Sequence, residues 1–230
     1  MTMPDGIHLD AVTRQFETPV GTVRAVDAVS VEVAAGTSVA VTGPSGCGKS
    51  TLLALIGGLT SPTSGSVTVS GREISKLDDE TRARLRRREV GLVFQSDNLL
   101  PFLTAVENVS LQLSLSGIRG DDDRCFALLV ELGLANHAHK LPDQLSGGQR
   151  QRVAVARALV HRPRVVLADE PTGSLNAESS TMLIDLMLAA QRESRTTLVV
   201  VTHDIAIAAR MDRTLTMRDG RIEHDVERGT

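Results

Sequence analysis

The chain has 230 residues, of which 41% are hydrophobic and 23% charged, as is ordinary for a globular protein of one large or two small domains. Its net charge of −3 does not indicate a nucleic-acid binder, and no apolar run approaches the roughly 20 residues of a membrane span. Cys47 and Cys125 are too few for a disulfide framework, and the first residues lack the pattern of a signal peptide. We therefore expect a soluble, cytosolic protein.

The first segment, residues 7–35, is predicted to form two strands joined by a turn. Hydrophobic residues alternate at Val29, Val31 and Val33, which is the period of a strand with one buried face. Phe16 precedes the turn, and the chain has only four Phe, no Trp and no Tyr. Two interpretations of Phe16 remain open: a strand-end ring that packs on the core, or a ring that stacks on a base.

A glycine-rich loop follows, and it fits the phosphate-binding pattern G-x-x-x-x-G-K-[ST] at every fixed position. A β-branched run at 38–42 predicts a buried strand before the loop, and leucines at helical spacing predict a helix after it. The alternative is a glycine-rich turn that only starts a helix, but strand, loop and helix together favour the phosphate site. The loop comprises Gly43, Pro44, Ser45, Gly46, Cys47, Gly48, Lys49, Ser50 and Thr51.

The chemistry of this loop depends on its backbone and on its last residues. Glycines let backbone N–H groups curl around a phosphate at the positive end of the new helix. Lys49 would reach the outer phosphates of a nucleotide, and the hydroxyl of Ser50 would hold Mg²⁺. Only three of the 25 Lys and Arg residues are lysines, so a lysine in the loop is unusual for this chain. Its compact ammonium is suited to act as a point charge on a phosphate. The sequence therefore predicts nucleotide binding.

A polar helix is predicted from Leu77 to Glu89, after a short strand around Val67 and Val69. The helix carries five arginines, but acidic residues come first and basic residues last, as the helix dipole favours. This order indicates a solvated helix rather than a nucleic-acid surface. A second buried strand is predicted at 90–94, and it runs into Gln95, a polar residue suited to the carboxyl edge of a parallel sheet.

Residues 101–141 have a helical pattern. Thr104 can cap a helix that runs through Leu115. The acidic run 121–123 opens another helix, in which Cys125, Phe126, Leu128, Leu129 and Leu132 are predicted to share one face. No strand pattern interrupts this block, so we interpret it as a helical insert in an α/β core.

A second glycine motif, Leu145-Ser-Gly-Gly-Gln149, opens a helix that is predicted to run to Val160. Its turn places free N–H groups and a hydroxyl at a helix N-terminus, which is a second anion site in the same chain. The residues of this site are Ser146, Gly147, Gly148 and Gln149.

Two further buried strands end in residues that carry chemistry. The strand at 164–168 ends in Asp169 and Glu170, and adjacent carboxylates there are costly unless they serve a cation or a proton transfer. Simple exposure past the strand end remains an alternative for either residue alone. The strand at 197–202 ends in His203. A lone histidine is usually structural, but this one again follows the carboxyl end of a strand.

With these motifs in this order, residues 7–223 resemble the nucleotide-binding subunit of an ATP-binding cassette (ABC) transporter. The Leu-Ser-Gly-Gly-Gln motif is much more specific to that family than the phosphate loop, which many NTPases share. Within the family, four segments resemble the lipoprotein-release and macrolide-exporter branch: Ile56-Gly-Gly-Leu59, Leu167-Ala-Asp-Glu-Pro-Thr-Gly173, Val201-Thr-His-Asp204 and Met217-Arg-Asp-Gly220.

The resemblance implies an α/β fold, with a P-loop NTPase (ABC ATPase) core, an N-terminal antiparallel β-subdomain and an inserted α-helical subdomain. It implies a single nucleotide-binding domain over residues 1–230. Within that domain, 1–94 and 162–230 would form the β-subdomain and the core, and 95–161 would form the helical subdomain with the second glycine motif.

The resemblance also implies a role for each motif. Loop residues 43–51 would bind ATP, with the ring of Phe16 on adenine where the family commonly has Tyr. Glu170 would be the general base for the attacking water, and His203 would hold the γ-phosphate. The implied Mg²⁺ ligands are Ser50, Gln95 and Asp169. The implied catalytic residues are Lys49, Gln95, Glu170 and His203.

The implied partners are a second copy of the chain and an integral-membrane permease, with no nucleic acid. Two copies would close head to tail around two ATP molecules, so that Ser146, Gly147, Gly148 and Gln149 of one copy contact the γ-phosphate bound by the other. Residues 96–110 would contact the permease. The protein would then lie on the cytoplasmic face of the inner membrane.

One position departs from the family pattern, because Ser174-Leu-Asn176 ends in Asn where the family usually has Asp. The lost negative charge would alter communication between the two sites of a dimer. Two other functions stay open: an ABC ATPase that signals mechanically through a permease-like partner without transport, and a soluble ABC ATPase that acts on DNA or ribosomes. The last class usually has a coiled-coil insertion or two cassettes, for which 230 residues leave no room.

Overall fold

The computed structural model describes residues 6–19, 21–118, 121–173 and 175–228. Ser174, two residues before Asn176, lies outside these residues, and so does Val20, in the turn predicted between the two N-terminal strands. No helix in the described ranges is both long enough and apolar enough to cross a lipid bilayer.

The described residues form ten strands and seven α-helices. The strands are β1 (Gly6–Thr18), β2 (Gly21–Ala34), β3 (Ser38–Thr42), β4 (Ser64–Val69), β5 (Arg72–Glu73), β6 (Val90–Val93), β7 (Val165–Asp169), β8 (Thr197–Val201), β9 (Arg213–Arg218) and β10 (Arg221–Glu227). The helices are α1 (Lys49–Ile56), α2 (Asp79–Glu89), α3 (Ala105–Ser116), α4 (Asp122–Glu131), α5 (Gly147–Leu159), α6 (Ala177–Ser194) and α7 (Ile205–Ala208). Short 3₁₀ turns at Ala135–His137 and Pro142–Gln144 lie between α4 and α5.

The first sheet is antiparallel, in the order β2-β1-β4-β5. The prediction of two N-terminal strands is confirmed, since β1 and β2 pair along most of their length. Val29, Val31 and Val33 of β2 are buried, as their alternation predicts, and the polar residues between them face away from the core.

The second sheet has the order β10-β9-β3-β8-β7-β6, and all its neighbours are parallel except β9 and β10. Its central strands β3, β8 and β7 are almost entirely buried, which explains why the sequence shows them as continuous β-branched and aliphatic runs. Parallel strands bring their carboxyl ends to one edge of a sheet. The residues that follow β3, β6, β7 and β8 therefore lie along that edge.

The hydrophobic interior has three clusters among the described residues. One lies between the two sheets and includes Leu52 of α1, and a second covers the other side of the parallel sheet and includes Leu183 of α6. The third is made mainly by α3, α4 and α5, with Leu129 fully buried in it. This separate core supports the predicted helical subdomain at 95–161, a division that stays a prediction.

Helix α2 begins two residues later than its pattern predicts. Asp78 is the N-cap, and its carboxylate accepts a hydrogen bond of 2.7 Å from the N–H of Thr81. Leu77 packs against the core instead of starting the helix. The helix is also less solvated than predicted, because Arg86 donates a 2.7 Å hydrogen bond to the carbonyl of Gly58.

The position of Phe126 on α4 also differs from its prediction. The pattern predicts it on the buried face of α4, yet the side chain is 41% exposed. Cys125 and Leu129 define the buried face, and one residue along a helix is a rotation of about 100°, which turns Phe126 to the edge. Its ring stacks there on His139, with 6.4 Å between centroids.

The loop that follows Gln95 is held to α3 by a buried asparagine. Asn108 is 1% exposed, and its amide group bonds four backbone groups of the loop and the first turn. The carboxamide oxygen accepts from the N–H of Leu100, and the nitrogen donates to the carbonyls of Leu100, Leu103 and Thr104. Thr104 also forms the predicted cap, as part of a capping box with Glu107.

We expect Asn108→Ala to lower the free energy of unfolding by about 2–4 kcal/mol, because it leaves buried backbone groups without partners. Asn136→Ala is the matched control, since Asn136 is an exposed asparagine of the same region and its loss should cost under about 0.5 kcal/mol. Urea unfolding followed by circular dichroism measures both. Equal midpoints for the two variants would contradict the structural role of Asn108.

Candidate functional site

The phosphate loop joins β3 to α1 as predicted. Its glycines Gly43, Gly46 and Gly48 have φ values of +137°, +79° and +106°, a region that other residues rarely enter. At Gly48 a side chain would also collide with the carbonyl oxygen of Ala25. Both the turn and the close approach of β2 therefore require glycine at this position, which is the N-cap of α1.

Lys49 lies folded over this loop. Its ammonium group is largely buried and donates hydrogen bonds of 2.8 Å to the carbonyl oxygens of Gly43 and Pro44. The thiol of Cys47, which is also buried, lies 3.9 Å from the ammonium nitrogen. Pro44, Ser45, Gly46 and Ser50 are exposed, so the outer side of the loop is open to a ligand.

The register of the parallel sheet brings the other predicted residues to the same edge. Asp169 at the end of β7 lies opposite Val201 of β8, and Val201 lies opposite Val41, two residues before the phosphate loop. On the other side, Ala168 lies opposite Val93, two residues before Gln95. Gln95, Asp169, Glu170, His203 and the loop therefore follow the carboxyl ends of four adjacent strands.

Glu170 has an unusual backbone and an unusual side chain. Its φ of +48° lies in the left-handed region, where a residue other than glycine costs about 1–3 kcal/mol and where strained functional residues are often found. Its N–H donates to the carbonyl of Val201 at 3.0 Å, which holds this conformation against β8. Nδ1 of His203 lies 2.9 Å from Oε2 of Glu170, but this buried oxygen accepts no aligned hydrogen bond from any described residue.

An unsatisfied, buried carboxylate oxygen is costly, and it marks a place where a proton donor or a polar ligand is expected. His203 itself is 77% exposed at the side chain, so it is not the satisfied structural histidine that a lone His usually is. Simple surface exposure, the alternative for the carboxylates, does not describe Glu170, whose side chain is only 17% exposed.

The second glycine motif opens α5 as predicted. Ser146 is the N-cap, and a capping box joins it to Gln149: the hydroxyl of Ser146 accepts from the N–H of Gln149, and Oε1 of Gln149 accepts from the N–H of Ser146. Nε2 of Gln149 lies 3.0 Å from a ring nitrogen of His137, which fixes the side chain from behind. The first turn of α5 has no acidic residue, which suits an anion.

Phe16 lies near the end of β1 and is 40% exposed. The interpretation that this ring packs on the core is therefore wrong, and the ring is open to a ligand. The guanidinium of Arg14 lies over this ring, with its Cζ 4.7 Å from the ring centroid.

Asn176 is the N-cap of α6, and its Oδ1 accepts a 2.8 Å hydrogen bond from the N–H of Ser179. Asn and Asp are equally good N-caps, so the departure from the family pattern costs α6 nothing.

Sequence reasoning missed the contacts that hold the segment on both sides of Gln95, residues 94–98. Three side chains of α5 reach it: Gln151 donates to the carbonyl of Phe94 at 3.3 Å, and Arg150 pairs with the carboxylate of Asp97 at 2.8 Å. The third, Arg157, donates to the backbone carbonyls of Asp97 and Asn98 at 2.9 and 2.7 Å. Burial lowers the pKa of the Arg157 guanidinium from its ordinary value. The sequence signal for these contacts is the spacing of Arg150 and Arg157, which are two helical turns apart and so lie on one face of α5.

A glycine cradle at the start of a helix, with carboxylates at the neighbouring strand ends, defines a P-loop nucleotide-binding domain. The family model described as "ABC transporter" matches residues 26–173. The chain belongs to this ABC transporter family, and it is an ATP-binding subunit with ATPase activity.

Curated relatives match most of the chain. The lipoprotein-releasing system ATP-binding protein LolD of Legionella pneumophila (strain Lens) is 43% identical over 211 residues, which cover 91% of this chain and 93% of that protein. LolD of Xanthomonas campestris pv. campestris (strain 8004) is 48% identical over 201 residues, with 85% and 83% covered.

Solved structures agree over nearly the whole chain. A dimeric, post-hydrolysis state of the ATP-binding cassette MJ0796 bound to ADP and Pi has a TM-score of 0.92 at 38% identity, covering 97% of this chain and all of the other. A second dimeric structure of MJ0796, described as a bacterial ABC transporter cassette, has the same TM-score at 39% identity. The predicted fold class, an ABC ATPase with an antiparallel β-sheet, an α/β core and added helices, is confirmed.

We expect Arg157→Met to lower kcat for ATP hydrolysis by about 10- to 100-fold, since the loop that carries Gln95 loses two of its anchors and small misplacements of this kind are costly. The KM for ATP should change little, because the phosphate loop is untouched. Steady-state ATPase assays on the purified chain measure both constants.

Arg124→Met is the matched control for this prediction. Burial lowers the pKa of Arg124 as it does that of Arg157, but Arg124 forms its ion pair with Asp121, the N-cap of α4, and not with the loop. It should keep nearly full activity. Similar losses of kcat in both variants would show that the helical region as a whole, rather than the loop, is sensitive.

Proposed function

We propose that this chain is the ATPase subunit of a lipoprotein-release type transporter, in which two copies close around two Mg-ATP and drive a separate membrane permease. The LolD relatives support the type, since they match the chain over more than four fifths of both lengths. The dimeric MJ0796 cassettes support the assembly. In this arrangement the chain lies on the cytoplasmic face of the inner membrane, held there by the permease.

The observation that carries the catalytic proposal is the buried Oε2 of Glu170, which lies at the sheet edge next to the phosphate loop and accepts no hydrogen bond from the described residues. A carboxylate in this state can accept a proton from the attacking water, so Glu170 acts as general base. His203, whose Nδ1 is 2.9 Å from that oxygen, holds the γ-phosphate from the same side. Lys49 leaves the carbonyls of Gly43 and Pro44 to bind the outer phosphates.

The residues at this edge also fit a magnesium ion. No group of three or more His, Cys, Asp or Glu side chains in the described part of the chain could hold a metal by itself. Mg²⁺ is commonly bound by one or two carboxylates together with phosphate oxygens and water. Asp169, with the hydroxyl of Ser50 and the amide of Gln95, supplies that incomplete set. When bound, Mg²⁺ would neutralise charge on the β- and γ-phosphates.

The remaining site residues bind the two ends of the nucleotide. The open ring of Phe16 stacks on adenine, and the N–H groups of loop residues 43–51 surround the phosphates. Ser146, Gly147, Gly148 and Gln149 of the second copy close the site over the γ-phosphate. This head-to-tail arrangement gives the anion site at the start of α5 a ligand, since its own chain already binds phosphate at the start of α1.

We expect Glu170→Gln to form a stable dimer when Mg-ATP is added, because the variant keeps the shape of the site but removes the base. Light scattering should then change from the mass of one chain, 24.6 kDa, to twice that value. In the double variant Glu170→Gln, Ser146→Arg, the increase in mass should be abolished, because the arginine side chain occupies the space where Ser146 would contact the γ-phosphate. A Glu170→Gln protein that binds ATP and stays monomeric would contradict the proposed dimer.

The permease contact is proposed at residues 96–110 and at the cavity beside them. This cavity, about 300 Å³, has an apolar floor that includes Leu92, Leu100 and Leu111. Arg86, Arg87, Arg157 and His161 also line it, and none of its described lining residues is acidic. Burial lowers the pKa of His161 to about 4, so His161 is neutral at pH 7 and the arginines supply the charge. An apolar permease segment with an acidic residue is the complementary partner.

We expect Arg87→Glu to reduce binding of the chain to membranes that contain its permease by several-fold, since like charges would then meet at the cavity rim. Arg88→Glu is the matched control, because Arg88 is the exposed neighbour that does not line the cavity. Sedimentation of membrane vesicles with the purified variants measures binding. Equal binding by both variants would place the permease contact elsewhere.

A further inference from the structure

We propose that Arg14 is a positioning residue for the adenine base. Its guanidinium covers one face of the Phe16 ring, so the base stacks on the opposite face. The inference rests on the proposed function, in which Phe16 stacks on adenine. Arg14 itself contacts the ring and the protein, and it acts on the nucleotide only through Phe16.

The first support is the geometry of the pair. Cζ of Arg14 lies 4.7 Å from the centroid of the Phe16 ring, within the range in which an arginine is attracted to an aromatic face. Nη1 of Arg14 donates a 3.0 Å hydrogen bond to the carbonyl oxygen of Ser61, so the guanidinium is fixed at its far end as well. The ring is thus held from one side by a group that is itself anchored.

The second support is the local backbone of β1. The pairing of β1 with β2 is irregular on both sides of Arg14, with register shifts between Val12 and Arg14 and between Arg14 and Gln15. Irregularities of this kind re-aim side chains. The segment is held instead by a loop beyond α1: the N–H of Gln15 donates to the hydroxyl of Thr63 at 3.1 Å, and the N–H of Thr63 donates to the carbonyl of Thr13 at 2.7 Å.

The third support is what this arrangement leaves open. Phe16 remains 40% exposed although one face lies under Arg14, so part of the side chain is open to a ligand, and the proposal places the base on the face away from Arg14. A phenyl ring has no polar group with which to fix its own orientation. Nε of Arg14 is buried and has no hydrogen-bond partner among the described residues, which leaves Ser61 and the ring as the contacts of the guanidinium.

The test compares the binding of ADP, which carries adenine, with the binding of pyrophosphate, which does not. ADP and pyrophosphate, each with Mg²⁺, are titrated calorimetrically into the wild-type chain and its variants. We expect Arg14→Met to raise the Kd for ADP about two- to fivefold, the size of an exposed cation–π contact, and to leave the Kd for pyrophosphate unchanged. Arg14→Lys, which keeps a cation, should recover part of the loss.

Two further proteins separate positioning from a structural role. In a Phe16→Leu background, Arg14→Met should have no additional effect on ADP binding, because the ring through which it acts is gone. Arg72→Met, an exposed arginine on β5 of the same sheet, should bind both ligands as the wild type does.

Three outcomes would overturn the inference. If Arg14→Met leaves the Kd for ADP unchanged, the contact between Arg14 and Phe16 does not contribute to binding of the base. If it weakens ADP and pyrophosphate equally, Arg14 supports the fold and not the ring. If Phe16→Leu binds ADP as well as the wild type does, the proposed stacking by Phe16 has failed too, whereas retained pyrophosphate binding would show that the phosphate loop still functions.

Discussion

The concentrated negative charge of a nucleotide's phosphates is the constraint on which this structure depends. A chain of net charge −3 cannot attract an anion by its overall charge, so the attraction has to be local. In the proposed site its sources are the N–H groups at the start of α1 and the buried ammonium of Lys49, and both act over only a few ångströms. The loop must therefore be held in one shape, which its positive φ values and the close approach of β2 at Gly48 achieve.

The parallel sheet solves the second part of the problem, because it delivers the chemical groups to that loop without long connections. Register alone puts Asp169 two strands away from β3, with β8 between them, and Gln95 follows β6, the next strand beyond. The sheet also holds one residue of this edge in a strained conformation. Glu170 adopts a left-handed conformation that β8 stabilises through one backbone hydrogen bond, and its carboxylate is left without an aligned partner.

Much of this was predictable from the sequence, for a physical reason. The strands β3, β7 and β8, the phosphate loop and the cap at Ser146 are local patterns, in which neighbouring residues carry the whole signal. What the sequence did not predict depends on residues far apart in the chain. Arg157 reaches Asp97 and Asn98 across about sixty positions, and Arg86 fastens α2 to Gly58. Phe126 was misplaced because one helical step separates the buried face from the edge.

Helix α5 is the element that joins the two parts of the proposed site. In the proposed dimer its N-terminus faces the second copy as an anion site, and its side chains at 150, 151 and 157 hold the loop of its own Gln95. A helix transmits displacement along its length because its backbone hydrogen bonds leave few soft degrees of freedom. When the start of α5 binds the γ-phosphate of the partner copy in the proposed dimer, we expect the Gln95 loop of its own site to move with it. In a symmetric dimer each copy would do the same to the other, so the proposed arrangement would couple the two sites through helix α5.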